Sequence, residues 1–128
     1  MEVGLESLIT ETQQRVAKIH PPNLFEDFVS NVAKLPGLSL VTNYMTGFPW
    51  EDPVLADAKL QEARSILESQ LGERRGRLEH NRFELERQSP MARQPQRYEI
   101  DSRRMTYWPW ASVIEYSHKQ PYKEDSIV

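Results

Sequence analysis

Three histidines, nineteen carboxylates and no cysteine are the raw material for chemistry in this chain, and their spacing decides what they can do. His20, His80 and His118 lie far apart with no second histidine at helical spacing, so no converging imidazole site for a metal is encoded. Glu115-Tyr116-Ser117-His118 has the form of half a di-iron carboxylate motif, but such a centre needs a second copy and two further helical glutamates, and one copy is present. Glu99 and Asp101 stand two apart in a stretch that reads as a strand and would share a face; the arginines that follow, Arg103 and Arg104, make surface ion pairing the simpler reading. The five glycines never cluster before a helix as a phosphate-cradling loop requires. No nucleophile elbow is present, and no serine is tied to a histidine by a known spacing. The expectation is a chain without catalytic, cofactor-binding or metal-binding residues. The lack of cysteine also removes disulfides and thiolate metal sites, in keeping with a reducing compartment.

What remains is recognition. Half of the twelve aromatic residues fall in the last quarter of the chain, and among them stand arginines. Arg97, Tyr98, Arg103, Arg104, Tyr107, Trp108 and Trp110 are the residue types that carry most of the binding energy at protein interfaces, because they bury large areas while keeping a polar handle. Trp108-Pro109-Trp110 is stiff and apolar, which suits an anchor. The competing reading folds the same rings back as the chain's own core.

The elements that must position these residues read as mainly α. Leu5, Leu8, Ile9, Thr12, Val16 and Ile19 form a stripe of 3.6-residue period, predicting an amphipathic helix from about Val3 to Lys18 that His20-Pro21-Pro22 stops. Asn23 and Glu26 have capping-box-like spacing, and Leu24, Phe25, Phe28, Val29, Val32 and Leu35 predict a second helix that Pro36-Gly37 ends. Residues 38–50 read as an extended connection with a short strand at Leu38–Thr42. A long helix is expected from Asp52-Pro53 to Ser89, with Leu60, Ala63, Leu67, Leu71, Leu78 and Leu85 as an imperfect coiled-coil seam. A break at Gly72–Gly76, folding it into a hairpin, is the competing reading. The organisation expected is a helical body at 1–89 and an extended aromatic C-terminal arm at 90–128, whose last ten residues should fray.

Hydrophobic residues make up 38% of the chain and charged ones 27%, with mean hydropathy −0.68, which is thin material for an isolated core. Residues 59–104 hold eleven of sixteen basic and eight of nineteen acidic side chains, a local +3 against −6 elsewhere. Glutamates interleave with those arginines, so a solvated ion-paired face is favoured over nucleic-acid contact. No apolar run approaches the ~20 residues that span a bilayer. The function expected is that of a non-enzymatic structural or assembly subunit of a large multiprotein particle, most in keeping with a phage-type virion, working in the cytoplasm or in the virion. Its partners would be other protein subunits, with a homo-oligomer as one option. The alternatives are an accessory subunit of a multi-subunit enzyme such as a respiratory complex, and a nucleic-acid-binding adaptor using Arg74–Arg104.

Overall fold

A computed structural model describes residues 1–116 and divides the chain into two compact units. The tail beyond Tyr116, with His118 of the half motif and the fraying expected at Lys119–Val128, lies outside the described residues. The first unit comprises residues 1–46 and 54–81, and the second residues 47–53 together with the chain from Arg82 onward.

The first unit is mixed α/β, not mainly α. Its elements run β1 (Glu2–Glu6), α1 (Thr10–Arg15), α2 (Leu24–Ala33), β2 (Leu40–Thr46), α3 (Pro53–Arg75) and β3 (Gly76–Arg82). The strands form a parallel sheet in the order β1-β2-β3. Parallel neighbours need long crossovers, and the helices supply them. β1 pairs with β2 in the register Glu2↔Val41, Val3↔Thr42, Gly4↔Asn43, then shifts to Glu6↔Tyr44. Along β2 every second residue is buried: Leu40, Thr42, Tyr44 and Thr46 face inward, while Val41, Asn43 and Met45 are half-buried. Such alternation marks a sheet with one face packed and the other more open. Leu40 and Tyr44 share one core with Phe25, Val29 and Val32 of α2 and Leu60, Ala63, Leu67 and Leu71 of α3, so both helices cover the same face.

The helix expected over Val3–Lys18 is instead a strand, a sharp turn and a short helix. Glu2-Val3-Gly4-Leu5-Glu6 alternates polar and apolar as well as it fits a helical stripe, and β2 offers its backbone a ladder. Glu6 then takes a positive φ of 65°, which ends the strand. The amides that follow are satisfied locally: Leu8 N donates to the Tyr44 hydroxyl (3.0 Å), Ile9 N to Ser7 Oγ (2.9 Å), and Gln13 Nε2 to the Ser7 carbonyl (3.0 Å). Leu5, Ile9 and Thr12 are buried under either description, which is why the stripe misleads; Ile19, at its far end, is 69% exposed. Asn23 does precede α2, but in the left-handed region (φ 64°) with no side-chain cap, so its capping-box spacing goes unused.

The long helix stops at Arg75, and neither its extension to Ser89 nor the coiled-coil seam exists. Leu60, Ala63, Leu67 and Leu71 pack in the core of the first unit, whereas Leu78 and Leu85 stand on strands. Gly72 makes the break, with φ 73° and ψ 172°, a region that is essentially closed to residues bearing a Cβ. A Cβ there would meet nothing within 4 Å, so the restriction is purely one of backbone. Gly72→Ala is therefore expected to destabilise by about 1–3 kcal/mol in chemical denaturation. Helix propensity alone forecasts the opposite sign, a gain of up to ~1 kcal/mol, so the direction of the change decides between them.

The second unit replaces the expected extended arm. β4 (Leu85–Glu86) pairs antiparallel with β5 (Val113–Ile114) in the register Leu85↔Ile114 and Glu86↔Val113. Between them lie α4 (Pro90–Arg93), N-capped by Ser89, and two 3-10 turns at Pro95–Tyr98 and Ser102–Arg104. Leu85, Ile100 and Ile114 are its fully buried centre, flanked by Phe83, Met91, Met105 and Tyr116. Gly47–Pro53 contributes aromatics to this unit: Phe48 stacks on Trp50 (centroids 5.0 Å apart) and on Phe83 (4.8 Å), and Trp50 meets Tyr98 at 6.1 Å. An arm with this many rings gains more by closing on itself than by lying extended in water. Among the described residues no helix is long and apolar enough to cross a membrane.

Candidate protein interface

The interface candidates divide into three groups, all in the second unit. Tyr107, Trp108 and Trp110 come together at a turn. Thr106 and Glu115 exchange both backbone hydrogen bonds (2.7 and 3.1 Å), closing a loop whose tip is Trp108-Pro109-Trp110-Ala111. Ala111 N donates to the Trp108 carbonyl at 3.1 Å. Pro109 stands second in the turn and Trp110 has no positive φ, which together describe a type I turn. The indole rings lie 5.3 Å apart at 33°, and both face solvent: Trp110 is 80% exposed, Trp108 39% and Tyr107 53%. These rings are not the core of the chain.

Arg87 holds that turn, and the sequence gave no reason to single it out from the polar stretch around it. Its amide donates to the Ser112 carbonyl at 2.7 Å, its Nη2 donates to the Trp108 carbonyl at 3.0 Å, and its guanidinium lies 5.8 Å from the centre of the Tyr107 ring. One side chain thus fixes both the backbone of the turn and the tilt of a ring beside it, the second through a cation–π contact. The signal that would have found it is its place next to β4, legible only once β4 and β5 are paired.

The second group is Arg103 and Arg104 around Asp101. Arg103 donates through Nε and Nη2 to the two Asp101 oxygens (3.1 and 3.2 Å), its own amide caps the same carboxylate at 3.0 Å, and Arg104 Nε stands 3.8 Å away. The hydrogen bond from the Arg103 side chain, followed by that from its amide, holds the Asp101 carboxyl below its ordinary value, and Arg103 is raised reciprocally. Asp101 therefore stays ionised through neutral pH and the Arg103 charge is answered within the chain. The strand read through Glu99 and Asp101 is absent: Glu99 is left-handed (φ 60°) and Asp101 caps a 3-10 turn.

The remaining candidates stand apart. Tyr98 is half-buried against the centre of the second unit, and Arg97 donates to Gln94 Oε1 at 2.9 Å. His80 Nε2 lies 2.6 Å from Thr46 Oγ1 in the first unit. Among the described residues no three histidine or carboxylate side chains converge as metal ligands would. No family model matches this chain, and no curated protein or solved structure is similar to it.

Proposed function

We propose that this chain is a non-enzymatic assembly subunit that docks on another protein through the Tyr107–Trp110 turn. The observation that carries the reading is two indoles held out to solvent on a proline turn, with Arg87 fixing the turn from behind. Left in water they gain nothing, and a pre-ordered pair of rings loses little conformational entropy on docking. A tryptophan buries on the order of 150–250 Å² when covered, so such a tip suffices as the centre of an interface. Nucleic acid is the weaker reading. Lys59, Arg75, Arg77, Arg87, Arg97 and Arg103 of the basic segment are each committed to partners within the chain, which leaves less free charge for phosphates. The place of work we infer is the cytoplasm, or the particle itself if that particle is a virion.

Hydroxyl-radical footprinting of the chain, alone and within the assembly isolated from its native source, tests this. Trp108 and Trp110 are expected to oxidise readily in the free chain and to be protected in the assembly. Equal oxidation in both states would reject the turn as a docking element.

A further inference from the structure

The open edge of the first unit's sheet carries a second interaction surface, independent of the aromatic turn. β3 stands at the end of the order β1-β2-β3, with β2 on one side and, among the described residues, no strand of that sheet on the other. It is seven residues long, and Arg77 and Glu79 on it are exposed. A strand of this length in that position offers a row of backbone donors and acceptors to a further strand. Leu78 points to the helix-covered face, where it packs against the core, and Arg77, Glu79 and Asn81 alternate onto the open face.

The order of these side chains specifies the occupant. We propose that β3 pairs antiparallel with β3 of a second copy of this chain, about a two-fold axis normal to the sheet and passing through Leu78. In that register Leu78 lies opposite Leu78 of the second copy, and Arg77 lies opposite Glu79 of the second copy twice over, once on each side of the axis. Opposite charges directly across an antiparallel pair stabilise it. Moving the axis to Arg77 or to Glu79 sets like charges face to face, so the pattern selects one register as well as one partner. Within one chain Arg77 Nη2 and Glu79 Oε1 already meet at 2.9 Å, and pairing extends this two-membered pair to four alternating charges. A cleft of about 300 Å³ beside the strand is bordered by Arg64 and Glu68 of α3. The same axis runs α3 antiparallel to its copy, so these two, four residues apart and opposite in sign, are self-complementary in the same sense. The product is one continuous six-stranded sheet with all helices on one face.

Sedimentation velocity of the full chain over rising concentration reads the association directly. The expected result is a shift toward twice the 15.0 kDa chain mass. R77E alone and E79R alone should each weaken the dimer about tenfold or more, because two cross-strand pairs change sign at once. An equimolar mixture of the two variants should recover it, since two carboxylates on one copy then face two guanidinium groups on the other. The double variant R77E/E79R should also pair with itself, and circular dichroism confirms that each variant is folded. A chain that stays monomeric up to submillimolar concentration overturns the proposal. So does a dimer indifferent to both single reversals, or a mixture that fails to recover association.

Discussion

Replacing Trp108 and Trp110 together by alanine is expected to abolish incorporation of the chain into its assembly while leaving the chain folded. Each indole at a desolvated interface centre contributes on the order of 2 kcal/mol or more, so the pair amounts to roughly a thousandfold in affinity. The fold should be untouched because neither ring belongs to the buried centre of the second unit, which is made by Leu85, Ile100 and Ile114. The chain has three tryptophans, so the double variant keeps Trp50 as its single indole reporter. Trp50 is buried and stacked on Phe48, which makes its emission a direct readout of the second unit's interior. Lost incorporation with unshifted Trp50 emission is the expected pair of results. A red-shifted Trp50 would mean that the exposed rings hold the unit together, and the docking role would have to be abandoned.

Arg75→Ala should be the most damaging single change on the surface of the first unit. α2 has no basic residue in its own last turn, and Arg75 at the end of α3 supplies the missing cation. Its Nη2 donates to the carbonyls of Leu35 (2.9 Å) and Val32 (3.2 Å), both Nη atoms reach Ala33 O at 3.4 Å, and Nε donates to Leu38 O at 3.1 Å. A helix leaves its last carbonyls without intrahelical partners and carries a partial negative charge there, so one guanidinium satisfies orphan acceptors and opposes that charge together. Charge-assisted bonds contribute about 1.5–3 kcal/mol each in isolation, but these share one half-buried side chain and do not add. A loss of about 3 kcal/mol is expected, seen as a fall of roughly 10 °C in Tm. Arg75→Lys should recover less than half, because an ammonium cannot span carbonyls on both sides of the turn as a planar fork does. A fall of under ~2 °C for the alanine variant would show that water caps α2 equally well.

How much of this was legible depended on whether a segment's burial pattern had one explanation or two. The second helix, the short strand after it and a break at Gly72–Gly76 were readable because Pro36-Gly37, the β-branched run and the paired glycines each admit little else. The first strand was not. Val3 and Leu5 satisfy a period of two, while Leu5, Ile9 and Thr12 satisfy 3.6, and the deciding partner, β2, begins more than thirty residues downstream. Tertiary pairing overrode local pattern there. Arg75 and Arg87 went unnoticed for a related reason. An arginine in a charged stretch reads as solvated surface, and its value lies in which carbonyls another part of the chain brings to it. Of the interface candidates, Tyr107, Trp108 and Trp110 do meet on one exposed turn, whereas Tyr98 carries the same residue-type signal and faces the interior. Composition named the rings, and only the turn geometry sorted them.

The path of the chain through its two units has a consequence for anyone who would divide it. After Thr46 the chain leaves the first unit, gives Phe48 and Trp50 to the second, and returns at Val54 to build α3. Neither unit is a continuous stretch of sequence. Cutting the chain after Asn81 would strip Phe48 and Trp50 of Phe83 and Tyr98 and leave a bare aromatic hairpin between β2 and α3, a sticky fragment. Starting it at Arg82 would give a second unit lacking two of its five clustered rings. A clean dissection would instead bridge Thr46 to Val54 with a short polar link, and supply Gly47–Pro53 to the other piece by a permuted connection.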